Sequence, residues 1–205
     1  SVDTSTAFDR SPYGNDGVLT GDVDCNSTTG KYGSGCKFFG SDAYINLGAP
    51  ATLTGTNKTT IELWVKPYSD FDTDSAHNYF FWQMGSSQGM WFKAAGSSGN
   101  LDFTTGDGTT ASTSIAADWD VGVWYHVAAT YDGSTVIIYR DGVEIGRDST
   151  NVRPYLGVSS ATAYVSSTGS GSLNGTMDEL RIYHRVLAAE EIRTHYLRGS
   201  GHGAS

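Results

Sequence analysis

Polar and apolar residues alternate along most of this chain, and turn-forming clusters interrupt the alternation. The clearest run is 59–66, where Ile61, Leu63 and Val65 face one way and Glu62, Trp64 and Lys66 the other, until Pro67 ends it. Further strands are expected near 18–23, 36–39, 43–47, 79–84, 90–94, 101–104, 109–115, 124–131, 135–139, 143–145, 161–166 and 171–183. Asp132-Gly133 and Asp141-Gly142 separate three of the richest runs and read as tight hairpin turns. Helical spacing is persuasive only at 188–197. There Ile192 and Tyr196 share a face, Glu190 and Glu191 lie early, and Arg198 lies late, matching the helix dipole. The pattern predicts an all-β fold: a double-sheet sandwich, its two faces of alternating residues filling one core, with one short C-terminal helix. It forms a single domain over 1–198, followed by a Gly/Ser-rich tail at 199–205.

The stretch 175–187 joins the last strand to that helix. Leu180 and Ile182 alternate with Arg181 and Tyr183, but Asp178-Glu179 stands just ahead of the apolar run. A carboxylate at the start of a core strand needs a cation, a donor or a metal. Adjacent positions on a strand point to opposite faces, so the two acids cannot flank one bond as a catalytic pair.

Composition sharpens this picture. The 205 residues include 26 Gly and 12 Tyr, and Asp outnumbers Glu by 17 to five, which favours strands and turns over helix. A net charge of −9 disfavours a phosphate backbone as partner. No apolar run approaches the roughly 20 residues a membrane span needs. The chain opens without a leader-like stretch, the expectation for a mature form or a piece of a longer protein. Cys25 and Cys36 are either a disulfide or two buried thiols, and the rest of the composition points to the oxidised, extracellular alternative. Asn26, Asn57 and Asn174 stand in glycosylation acceptor triplets, about as many as chance would supply.

Eight segments in order carry a family resemblance: the turn cluster 9–17, Gly30-Lys-Tyr-Gly33, 40–45, Thr60-Ile-Glu-Leu-Trp-Val-Lys-Pro67, Trp124-Tyr-His-Val-Ala128, Tyr131-Asp-Gly133, Tyr139-Arg-Asp-Gly142 and Asp178-Glu-Leu-Arg-Ile-Tyr183. Together they resemble the laminin-G-like, concanavalin A-like jelly-roll domain from about Asp9 to Tyr196. The resemblance is specific for a fold that hosts lectins, glycosidases, lyases and adhesive modules, and not for one activity. It implies a structural Ca2+ tying the N-terminal turn to the last strand through Asp9, Asn15, the Gly17 carbonyl and Asp178, with Asp16 and Asp42 as weaker ligands. The alternative is that 9–17 is held by its own Asx turns while Asp178 pairs with Arg10 or Arg185.

Catalytic constellations are missing from the sequence. The Glu-x-Asp-x-x-Glu strand motif of jelly-roll glycosidases does not occur, and Leu101-Asp-Phe103 echoes only its middle. Tyr125 and His126 alternate faces and so do not form a lyase-like pair, and no two His have zinc spacing. The chain is therefore expected not to be an enzyme. Its expected role is that of an extracellular or cell-surface module binding a glycan or a cell-surface protein in adhesion. Tyr68, Tyr79, Trp82 and Trp91 are the candidate ligand platform. The alternative is a structural subunit of a surface layer or filament that self-associates, with the segment 2–8 adding to the sheet edge of another copy.

Overall fold

The computed structural model describes residues 5–28, 30–53, 57–85, 88–107, 110–153 and 161–201. Fifteen strands follow in chain order: β1 (Thr6–Ala7), β2 (Gly17–Thr20), β3 (Val23–Ser27), β4 (Gly35–Phe39), β5 (Tyr44–Asn46), β6 (Thr59–Pro67), β7 (Asn78–Met84), β8 (Gln88–Ala94), β9 (Leu101–Asp107), β10 (Thr110–Ile115), β11 (Tyr125–Tyr131), β12 (Val136–Arg140), β13 (Val143–Asp148), β14 (Ala163–Ser166) and β15 (Asn174–Tyr183). They form two antiparallel sheets. Sheet one has the order β1-β2-β5-β14-β7-β8-β9-β10, and sheet two β13-β12-β11-β6-β15-β4-β3. The two-sheet antiparallel sandwich expected from the alternation, and the jelly roll the resemblance implies, is the fold.

The core lies between the sheets. Sheet one brings Ile45, Phe81, Met90, Phe92, Leu101, Phe103 and Val165, and sheet two Phe38, Ile61, Leu63, Val65, Val127, Ala129 and Ile138, all buried. These are the inward positions that period-2 alternation dictates. The run expected as one strand at 18–23 instead splits at Gly21, whose φ of +71° turns the chain, so that β2 joins sheet one and β3 joins sheet two. Within the segment 2–8 foreseen as an edge donor to another copy, Thr6–Ala7 pairs with β2 of its own chain at the edge of sheet one, and residues 2–4 lie outside the described residues. Cys25 and Cys36 form a disulfide across β3 and β4.

The single helix α1 (Ala189–Gly199) covers the outer face of sheet two. Leu187 and Ile192 pack there on Ala128 and Tyr139. Its first turn is closed by Glu191, which accepts from the Ala188 N–H at 2.9 Å and pairs with Arg185 at 2.7 Å. That arrangement holds the Glu191 carboxyl down to about 2, the Arg185 hydrogen bond being the main cause. Gly199 belongs to the helix, not to a core-free tail. It is buried on Trp64, and a Cβ there would lie 2.2 Å from the indole. Among the described residues no helix is long and apolar enough to cross a membrane.

Candidate functional site

On a regular β7, Tyr79 and Trp82 would point to opposite faces. They do not, because β7 carries a bulge. Tyr79 is opposite Lys93 of β8 and Trp82 opposite Trp91, but the register slips by one residue between them at Phe80. Phe80 and Phe81 therefore both enter the core, each fully buried. Tyr79 and Trp82 emerge together, half-buried, on the outer face of sheet one. An extra residue in one strand re-aims the side chains that follow it, and here the re-aimed one is an indole.

The two rings line a cavity of about 310 Å³. Its other walls are Ser75, Ala76 and His77, which lead into β7, and Ser167, Thr168 and Gly171 in the turn after β14. Trp82 stacks on Tyr164 of β14 (5.3 Å between centroids, 25° between planes), and Tyr44 of β5 meets Tyr164 edge-on at 5.4 Å. His77 stands edge-on to Tyr79 at 5.9 Å, and the Lys93 ammonium lies 5.3 Å from the Tyr79 ring centre while paired with Asp102 at 3.8 Å. Burial raises the Tyr79 hydroxyl above its ordinary range, with Asp102 adding to the effect.

Both walls are held by internal hydrogen bonds. Ser172 Oγ donates to the Ser167 carbonyl at 2.6 Å, the Gly169 N–H donates to Asp42 Oδ1 at 2.9 Å, and the Leu173 N–H donates to Ser166 Oγ at 2.8 Å. Gly171 is there because nothing larger fits: a Cβ would sit 2.7 Å from the Tyr79 ring. On the opposite wall Asp74 accepts from the Ala76 N–H, Ser69 Oγ and Asn78 Nδ2. Asp74 thus braces the cavity wall from behind, and none of Asp70, Asp72 and Asp74 lines it.

The four expected platform residues divide. Tyr79 and Trp82 line the cavity, and Trp91 flanks them on the same outer face, beside Trp82 in register. Tyr68 is not part of the group. It follows β6 of sheet two, its hydroxyl shares a 2.5 Å hydrogen bond with Thr176, and its ring packs on Phe39. Proximity in sequence to the 70–74 loop misplaced it, since β6 and β7 belong to different sheets. Of the glycosylation triplets, Asn57 is exposed, Asn174 is half-buried within β15, and the side chain of Asn26 lies outside the described residues.

The expected calcium ligands do not share a donor set. Asp9 Oδ1 accepts from the Ser11 N–H, and Oδ2 accepts from Ser11 Oγ and the Asn15 N–H, all at 2.8 Å. These contacts lower its carboxyl pKa although burial opposes them. Asp16 accepts from the Asp9 N–H, and the Asn15 amide bonds Thr52. The Asx-turn alternative describes this loop. Gly17 lies in β2, paired with Ala7. Asp178 is 9% exposed in sheet two, where it accepts from the Tyr32 N–H at 2.8 Å and the Glu179 N–H at 2.7 Å. Burial raises its carboxyl pKa against those donors. Its partner is therefore the Gly30–Gly33 turn, and neither the 9–17 loop nor Arg10 nor Arg185 among the described contacts. Among the described residues no group of three or more His, Cys, Asp or Glu gathers in one place. Asp9, Asn15 and Gly17 lie in or beside sheet one and Asp178 in sheet two, each with partners inside the fold. Melting with and without a chelator at neutral pH tests for an ion there: a fall of several degrees would show one, because a ligand bound only by the folded state must stabilise it, and an unchanged midpoint would remove it.

A second polar cluster lies under α1. Glu62 is 1% exposed, and its carboxylate meets His195 Nδ1 at 2.8 Å, the Tyr183 hydroxyl at 3.0 Å, Arg181 at 3.7 Å and His126 Nε2 at 3.8 Å. Sequence alternation placed Glu62 correctly on the outer face. It could not show that a helix from the far end of the chain covers that face. Four polar partners on one buried carboxylate form a fastening between α1 and the sheet. Glu62→Ala should cost about 1–3 kcal/mol in urea unfolding, since it removes the acceptor shared by the His195 ring and the Tyr183 hydroxyl.

The family model of the concanavalin A-like lectin/glucanases superfamily matches residues 39–193. The chain belongs to that superfamily. No curated protein matches it. Among solved structures it is similar to domain 4 of AbnA, an extracellular GH43 arabinanase from Geobacillus stearothermophilus solved with arabinotriose. The identity is 22%, the TM-score 0.71, and 88% of this chain and 87% of that one are covered. It is also similar to the binding domain of Paraclostridial Mosquitocidal Protein 1 (16% identity, TM-score 0.76, 96% and 50% covered). A third is the binding domain of botulinum neurotoxin serotype G (15% identity, TM-score 0.72, 94% and 48% covered). The chain thus spans about half the length of each toxin domain. At these identities the likeness is one of fold.

Proposed function

We propose that this superfamily member is a non-catalytic carbohydrate-binding module that works outside the cell, with the sugar docked in the cavity of sheet one. The observation that carries the reading is the bulge at Phe80, which places Tyr79 and Trp82 on one face around a cavity with hydroxyl and imidazole walls. Sugars offer an apolar ring face and a rim of hydroxyls. Aromatic rings beside Ser75, Ser167, Thr168 and His77 meet both needs, in a site of the size small ligands use. The fold is shared with an arabinanase domain solved with arabinotriose, which supports a sugar over other small ligands. The Cys25–Cys36 disulfide supports an oxidising, extracellular setting.

Hydrolysis is left out of the proposal because of the acids. Glycosidases need two carboxyl groups flanking the scissile bond, and no acidic residue lines the cavity. Glu144, Glu179 and Glu191 are each engaged by an arginine, and Glu62 lies under α1. The test is isothermal titration of the protein with arabinotriose, xylotriose, cellotriose and mannotriose. At least one should bind in the micromolar-to-millimolar range without being cleaved. Silence with all four would overturn the reading, and turnover of any would overturn its non-catalytic part.

A further inference from the structure

His77 is the only side chain on the cavity wall whose ring nitrogens must take distinct roles. Its Nδ1 lies 2.9 Å from the Gly96 backbone nitrogen. A backbone N–H can only donate, so Nδ1 must be the bare, accepting nitrogen, and the ring proton sits on Nε2. The contact is braced at a second point, where the Ser97 N–H donates to the Asp74 carbonyl at 2.5 Å. Gly96 itself lies so close to the 75–76 backbone that a Cβ would be 2.7 Å from the Ala76 carbonyl oxygen. The 95–97 turn after β8 therefore grips the 74–77 segment and sets both the position and the tautomer of the imidazole. The charged groups around His77 are Lys93 and Asp102, and its ring neighbour is Tyr79. Burial, and then Lys93, lower the His77 pKa against the opposing pull of Asp102.

Resting on the carbohydrate reading of this cavity, we propose that His77 sets its specificity: the Nε2–H donates to an oxygen of a neutral sugar lying against Tyr79 and Trp82, with Gly96 as the positioning partner. The sugar so selected presents an acceptor oxygen at the rim of the ring face that meets the aromatics. It carries no negative charge, because no lysine or arginine lines the cavity to balance one.

Two substitutions separate the roles of the two nitrogens. His77→Asn keeps an acceptor near the Nδ1 position for Gly96 and removes the Nε2 donor. His77→Gln keeps a donor near Nε2 and removes the acceptor. Both are titrated with arabinotriose, or with the tightest of the four trisaccharides above, beside wild type and Trp82→Ala, and thermal melts confirm that each variant is folded. His77→Asn should weaken binding about tenfold, the loss of one hydrogen bond, and His77→Gln, which keeps a donor but gives up the Gly96 contact, should weaken it by less. Long-range nitrogen–proton NMR correlations of free wild type should show Nδ1 unprotonated. Unchanged affinity in His77→Asn alongside lost affinity in Trp82→Ala would overturn the assignment of His77 and leave the sugar site standing. Unchanged affinity in both would overturn the site and the assignment together. A protonated Nδ1 in the free protein would overturn the assignment by itself.

Discussion

Acidifying the protein from about pH 7 to about pH 4.5 should cost it about 2–3 kcal/mol of folding stability through His126 alone. Burial lowers the pKa of this imidazole from 6.5 to about 3, with His195 and Arg181 adding to the effect. Its side chain lies beneath α1 beside Glu62, 2% exposed, and among the described residues its Nδ1 has no partner. An imidazolium needs acceptors at both nitrogens, and only the 3.8 Å approach to Glu62 offers one. The folded form therefore resists the proton that the unfolded chain accepts. A group with a depressed folded pKa contributes stability that is full above the unfolded value and is lost as pH falls. Here the loss begins near 6.5 and continues toward 3, at about 1.4 kcal/mol per pH unit. Urea unfolding at a series of pH values should show this slope in wild type and a flatter profile in His126→Leu. Parallel profiles would mean that His126 is protonated in the native state.

Trp82→Ala should weaken trisaccharide binding by about 30-fold, the scale of an aromatic anchor in a sheltered pocket. It removes the ring that borders the cavity and also its stacking on Tyr164, so a stability loss of about 1 kcal/mol should accompany it. Trp124→Ala is the matching control. That ring is half-buried too, but it precedes β11 of sheet two, with the Lys66 ammonium 5.0 Å from its centre. Its removal should leave sugar affinity unchanged. If the two substitutions weaken binding equally, the sheet-one cavity is not where the sugar sits.

The inward faces of most strands are legible in the sequence because burial on one side of a pleated sheet imposes a period of two. Ile61, Leu63 and Val65 are all fully buried, as their alternation implies. The same rule misleads where a distant segment adds a second cover. Glu62 and Trp64 alternate outward and are nonetheless buried, at 1% and 3% exposure, because α1 folds back over them from more than a hundred residues away. It misleads again in β7, where 79–84 reads as a plain strand. Phe80 and Phe81 are two bulky apolar neighbours in a row, the one local sign that the phase changes there. Without the bulge, Tyr79 and Trp82 could be named as candidates but not placed on one wall. Asp178 is legible as a carboxylate needing a cation, a donor or a metal, and the family resemblance points to calcium. Its donors are the backbone N–H groups of Tyr32 and Glu179, which composition cannot reveal.

The location of the sugar is the claim on which the rest depends, and the five indoles report it in one experiment. Trp82 borders the cavity, Trp91 flanks it, and Trp64, Trp119 and Trp124 lie elsewhere, the first two buried. Titrating arabinotriose, or the tightest trisaccharide of the panel, while following the indole N–H signals by NMR should move Trp82 most and Trp91 less. Trp64, Trp119 and Trp124 should stay fixed. A titration that saturates with Trp82 unmoved, or with Trp124 or Trp64 moving most, would contradict the account.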